Sequence, residues 1–178
     1  MADATVDENP AGPEVEPEPE RRHGALVTES RGDVVLHPSR HEVVDLVRTL
    51  RDDEGYWMCL DVCGVDYLGY GAPRALPVGA GPERFEVVYL LINHRDRTRL
   101  RIRVQVPEHD AVVPTMFEVH PGTEAPEREV FDMFGIAFAG HPDLTRILMP
   151  EDWDGHPLRK DYGIGAIPVQ FKGVENQP

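Results

Sequence analysis

Cysteine is scarce in this chain: Cys59 and Cys63 are the only two. Iron–sulfur clusters commonly take four thiolates, and structural zinc takes four Cys or His ligands. Two thiols four positions apart in an apolar run therefore read as small core residues rather than as a redox or metal centre. Serine is equally scarce, and neither Ser30 nor Ser39 has the glycine-flanked setting of a hydrolase nucleophile. No Gly-x-Gly-x-x-Gly or phosphate-loop pattern occurs, which leaves NAD, FAD and ATP without a recognisable cradle. Long apolar runs are missing too. Val87–Ile92 stops at Asn93-His94, far short of the roughly 20 residues of a membrane-spanning helix. The N-terminus lacks the basic start and apolar stretch of an export signal, so the expected location is cytoplasmic, with membrane association only through partners. Positive charge is outnumbered: the net charge is −14 and the pI about 4.9, a balance that repels nucleic-acid phosphates and anionic lipid.

What remains is enough for one domain with a genuine core, 178 residues with 40% hydrophobic content. Residues 1–23 read as a disordered acidic tail, with alternating Pro and Glu, no aromatic residue and a net of −5. Such an arm either embraces a basic partner or remains a solvated end. The expected domain covers residues 24–140, and 141–178 reads as an extended segment that binds a partner. Val34-Val35-Leu36 reads as a strand, and Val43, Val44, Leu46, Val47 and Leu50 recur at helical spacing over 40–52. A strand is expected from Tyr56 to Tyr67, then an irregular Gly/Pro-rich loop from Gly69 to Glu83. Phe85–Ile92 and Leu100–Val106 form a predicted hairpin around Asn93–Arg97. In its second arm Leu100, Ile102, Val104 and Val106 alternate with Arg99, Arg101, Arg103 and Gln105, as expected of a strand whose basic side faces water. Short helices are expected over 112–119 and over Thr123–Phe134, the latter capped by Thr123 and stopped by Gly135. This order of elements predicts an α+β fold: a two-layer domain whose mostly antiparallel or mixed sheet is packed by helices, followed by an extended C-terminal segment.

Residues 127–161 carry most of the information. They open as a helix with Val130, Phe131 and Phe134 on its apolar side, Glu127 and Glu129 near its positive end, and Arg128 and Asp132 spaced to pair. The stretch beyond is unusual for a loop. It combines Phe138, Leu144, Ile147, Leu148, Met149 and Trp153 with two His-Pro units. So much apolar surface on an irregular segment needs a cover, either its own domain or another protein. Arg146, Trp153 and Arg159 are of the types enriched at protein interfaces. A metallohydrolase built on His141, Asp143, His156, Glu129 and Asp132 is the rival reading, though the spacing matches no compact ligand motif such as His-Glu-x-x-His.

The run Glu127, Arg128, Glu129, Phe131, Asp132, Met133, Phe134, Gly135, Ile136, Phe138, His141, Pro142, Asp143, Leu144, Arg146, Ile147, Leu148 resembles the signature of the thirty-kilodalton subunit of respiratory complex I, the C-type subunit of bacterial NADH-quinone oxidoreductases. The family's next stretch is matched by Trp153, Gly155, His156, Pro157, Leu158, Arg159, Lys160 and Asp161. Glu124-Ala125-Pro126 departs from the aromatic residues usual before that signature. The resemblance implies a cofactor-free, non-catalytic subunit of the peripheral arm at the cytoplasmic face of the membrane. Its implied partners are two other subunits of that arm, the forty-nine-kilodalton (D-type) one and the cluster-bearing B-type one. Iron–sulfur clusters, FMN and quinone would belong to partner subunits. The signature residues would serve docking and assembly, with Arg146 and Arg159 foremost. Related subunits in membrane-bound hydrogenases and F420-linked complexes leave the electron donor open.

Overall fold

The computed structural model describes residues 18–74 and 76–163. Most of the acidic tail and the last fifteen residues of the C-terminal segment lie outside them. Six strands form one sheet: β1 (Arg21–Arg22), β2 (Ala25–Ser30), β3 (Asp33–His37), β4 (Met58–Asp66), β5 (Phe85–Asn93) and β6 (Thr98–Val106), in the order β1-β2-β3-β6-β5-β4. All neighbours are antiparallel except β3 and β6, which run parallel. That exception follows from connectivity: helix α1 (Val43–Asp52), β4 and β5 lie between the two strands, long enough for a crossover. A second, two-stranded parallel sheet joins β7 (Val112–Pro114) to β8 (Ala137–Ala139), with helix α2 (Glu124–Phe134) between them.

The pleat sorts side chains onto two faces. The inner rows are Val62–Tyr89–Ile102–Leu36, Gly64–Val87–Val104 and Phe85–Val106, and these residues apart from Gly64 build one core with Val43, Leu46, Val47 and Leu50 of α1 and Val130 of α2. Both helices thus cover a single face, as the α+β reading expects.

The outer face differs from the expected wet ladder of arginines. Glu86 is buried there, and Arg103 and Gln105 both donate to its carboxylate. Arg74 reaches down from the 69–83 loop to donate to Glu86 (3.1 Å) and Gln105 (2.5 Å), its guanidinium lying 3.6 Å over the Tyr67 ring. The irregular loop is therefore a lid for one end of the outer face. The alternation was readable; which loop would fold over it was not.

Three further expectations change. The folded part starts before the expected boundary at residue 24, since β1 takes Arg21 and Arg22 from the stretch read as tail and Glu20 accepts a backbone bond from Val27. Helix α1 begins at Val43, later than Arg40, after Ser39 bonds Glu42 (2.6 Å). Residues 112–119 are no helix. Two β-branched valines before Pro114 favour extended backbone, and the chain uses it to pair with β8.

Gly64 marks the tightest approach of helix to sheet. A Cβ at that position would sit 2.5 Å from the Phe134 ring of α2. We expect Gly64→Ala to destabilise the fold by about 1–3 kcal/mol through overpacking, seen as a lowered melting temperature. Adding Phe134→Leu should recover part of the loss; no recovery would show that the contact is not the cause.

Candidate functional site: a C-terminal clamp around helix α2

The signature residues converge on the second half of α2. Asp132 is fully buried on this helix. One of its carboxylate oxygens accepts Arg146 Nη1 at 2.6 Å. The other accepts three consecutive backbone N–H groups, from Ile147 (3.1 Å), Leu148 (2.8 Å) and Met149 (2.8 Å). Burial alone would raise this carboxyl. The Met149 N–H, the Arg146 guanidinium and the neighbouring N–H groups outweigh it and hold Asp132 below the usual carboxylate range. Arg146 spends its second nitrogen on the carbonyls of Trp153 (3.0 Å) and Gly155 (2.9 Å). One ion pair thereby organises two separate stretches of irregular chain.

Around it, other signature residues hold the same wrap. Gly135 ends α2 in the left-handed conformation (φ 70°), as the sequence predicts. It also has to be glycine for space, since a Cβ would meet His156 Nε2 and Arg159 Nη2 at 2.5 Å. Arg159 donates to the carbonyls of Phe134 (2.5 Å) and Gly135 (3.4 Å), a cation at the negative end of the helix. His156 Nδ1 bonds the Asp132 carbonyl (2.9 Å), its ring edge-on to Phe131. Leu158 N donates to the Met133 carbonyl at 3.0 Å. At the start of the wrap, His141 Nε2 donates to the Glu124 carbonyl (3.0 Å) while its Nδ1 accepts from Asp143 N (3.1 Å). Both histidines of the metallohydrolase reading thus bond backbone carbonyls of α2.

Arg128 and Asp132 do not form the expected helical pair. Arg128 pairs with Glu124 (3.5 Å) and binds the Thr145 and Arg146 carbonyls at 3.1 Å, while Asp132 turns to Arg146. Glu127 points into the core instead of solvent, accepting from Thr115 Oγ1 (2.5 Å) and Met116 N (2.7 Å). Burial pushes its carboxyl up despite those bonds. Phe138 is buried, Phe134, Trp153 and Pro157 are half-buried, and Glu129, Pro142 and Asp143 are exposed. The thiols of Cys59 and Cys63 are held protonated, pushed up to about 12 and about 11 by burial.

Sequence reasoning missed the anchor at the far end. Lys160 N donates to Asp66 (2.9 Å), and Arg84 bridges Asp66 (2.9 Å), Asp161 (2.7 Å) and Glu108. Lys160 and Asp161 stood in the motif, but nothing in one sequence ties them to Asp66 or Arg84.

Residues 36–167 match the family described as respiratory-chain NADH dehydrogenase, 30 Kd subunit. The chain belongs to this family. It is 45% identical over 154 residues to the C-type subunit of NADH-quinone oxidoreductase from Saccharopolyspora erythraea, covering 85% of this chain but 58% of that relative. To the same subunit of Roseiflexus castenholzii it is 48% identical, covering 81% of this chain and 78% of that one. Among solved structures, a trypsin-resistant fragment of Nqo5 is 35% identical with a TM-score of 0.59, over 68% of this chain and 90% of the fragment. A chain of the membrane-bound sulfane sulfur reductase, an archaeal respiratory membrane complex, is 22% identical with a TM-score of 0.63, covering 86% of this chain and 90% of that one, and shares the fold. No helix among the described residues is long and apolar enough to cross a membrane.

The clamp's pH dependence follows from Asp132. Its folded-state pKa is depressed, so its contribution is complete above the unfolded value of about 4 and is lost as pH falls through the lower folded value. Limited proteolysis should find residues 144–163 resistant near neutrality and cleavable only below about pH 4. Asp132→Ala strands Arg146 and should cost about 3–5 kcal/mol, making the segment cleavable at neutral pH. Unchanged resistance would show that the wrap is held by other contacts.

Proposed function

We propose that the chain is a cofactor-free, non-catalytic peripheral-arm subunit of a proton-translocating NADH:quinone oxidoreductase, held at the cytoplasmic face of the membrane through its neighbours. In this reading it docks on the forty-nine-kilodalton (D-type) subunit, near the B-type one, and the clusters, FMN and quinone belong to those and other subunits. Electron transfer belongs to the cofactors, and this chain supplies placement. Family membership supports it, as do the named relatives from NADH-quinone oxidoreductases.

One structural observation carries the docking part. The clamp pins the backbone of 146–149 and 156–159, yet turns apolar side chains outward: Leu148 is 58% exposed and Leu158 50%. Large aliphatic groups on a rigid irregular backbone make a pre-ordered contact surface, which lowers the entropy lost on association. The charged signature residues Arg146 and Arg159 bond groups within the chain, and in this reading they support that surface from below.

The test is a Leu148→Asp, Leu158→Asp double variant. Both positions are exposed, so the isolated chain should keep its fold and melting temperature. Incorporation into the membrane complex should fall by about tenfold or more, the loss that about 1.4 kcal/mol at an interface brings. Full incorporation would overturn this docking surface.

A further inference from the structure

The outer face of the sheet is half covered. Its end under the 69–83 loop is closed by the Glu86 network, while the other end carries the rows Met58–Ile92–Arg99 and Asp61–Leu90–Arg101. Met58 is 47% exposed there and the adjoining Trp57 57%. A shallow groove of about 150 Å³ runs between Leu60 and Leu90 on one side and Arg99 and Arg101 on the other. Arg95 lies 5.6 Å over the Trp57 ring, and Arg101 pairs with Asp33 at 2.8 Å. Arg97 and Arg99 have no carboxylate partner among the described residues. In a chain of net charge −14, an apolar stripe rimmed by arginines is the reverse of the prevailing surface.

We propose that this face is a docking site for an acidic extended polypeptide, and that its occupant is the chain's own N-terminal segment, residues 1–17. Charge complementarity is the first reason. That segment carries Asp3, Asp7, Glu8, Glu14 and Glu16 with no lysine or arginine, interleaved with Val6, Val15 and four small alanine and glycine residues. Attachment is the second. The segment joins the fold just before β1, at the edge of the same sheet, three strands from β6. Three inter-strand steps amount to about 14 Å, and seventeen residues span up to about 56 Å. A tether of this length presents the acidic groups at an effective concentration in the millimolar range, so weak contacts are enough. The stripe then gains a cover, and Arg97 and Arg99 gain counter-charges, without a second protein. This inference does not depend on the assembly role proposed above.

The test compares full-length chain with a variant in which Asp3, Asp7, Glu8, Glu14 and Glu16 become Asn or Gln, at equal length. The readout is the backbone amide spectrum and the Trp57 indole N–H. Neutralisation should shift the signals of residues 57–60, 90–92 and 97–101 and leave those of α1 and the 69–83 loop in place. The same signals should move in wild type at about 1 M NaCl, where screening falls to about 3 Å. Arg97→Gln with Arg99→Gln, at exposed positions, should reproduce the effect. No shift, or shifts spread over other faces, overturns the proposal. Shifts that scale with protein concentration overturn it as well, since they would place the acidic segment on a second copy.

Discussion

A carboxylate taken out of water must be given back the hydrogen bonds it loses, and Asp132 recovers them from chain that has no secondary structure of its own. Its two oxygens accept four groups, three of them backbone N–H donors from consecutive residues. An ionised side chain on the helix thus plays the part that a neighbouring strand would play in a sheet, satisfying backbone groups that burial would otherwise orphan. Arg146 completes the exchange, because a guanidinium has more donors than one carboxylate can use and passes the surplus to Trp153 and Gly155. The wrap from Ile147 to Gly155 is organised by this one pair, Arg128 holds Thr145 and Arg146 before it, and Gly135, His156 and Arg159 extend it around the end of α2.

This arrangement accounts for the density of the signature. Several of its polar residues each satisfy a particular backbone group. His141 and His156 meet carbonyls of the helix, Arg159 meets the carbonyls at its end, and Gly135 makes room for both His156 and Arg159. Lysine in place of Arg146 or Arg159 would keep the charge and lose the fork geometry that reaches two or three carbonyls at once.

The parts of the fold legible in the sequence were those where one periodicity ruled. The second arm of the hairpin alternates strictly, and the structure places both strands within one or two residues of the expected ends. Gly135 was legible because helix termination has a local cause. Failures came where a residue's partner lies far along the chain. The side of the second arm that carries Arg103 and Gln105 was expected to face water, but Glu86 is buried against it beneath Arg74, which arrives from an irregular loop. Arg128 and Asp132 had the spacing of a helical pair, but each found a better partner in the wrap. The family resemblance named the clamp residues as a group; it did not reveal which carboxylate and backbone groups of the chain they bond.

In the docking proposed above, that bonding decides how the segment meets another surface. Had the arginines of the clamp been free to reach a partner, docking would have had to desolvate them and order a loose loop at once, and both steps oppose association. Within the fold those costs are met before any encounter. The outward aliphatic groups are Ile147, Leu148 and Leu158, flanked by exposed Glu151, Asp152, Asp154 and Lys160, and they sit on a backbone whose N–H groups are already bonded to Asp132 and Met133. In the proposed docking, covering these aliphatic groups releases water while the buried ion pair of the clamp stays intact. Specificity then rests on shape, and the shape of this ridge is set by the depth at which Asp132 holds the chain beneath it.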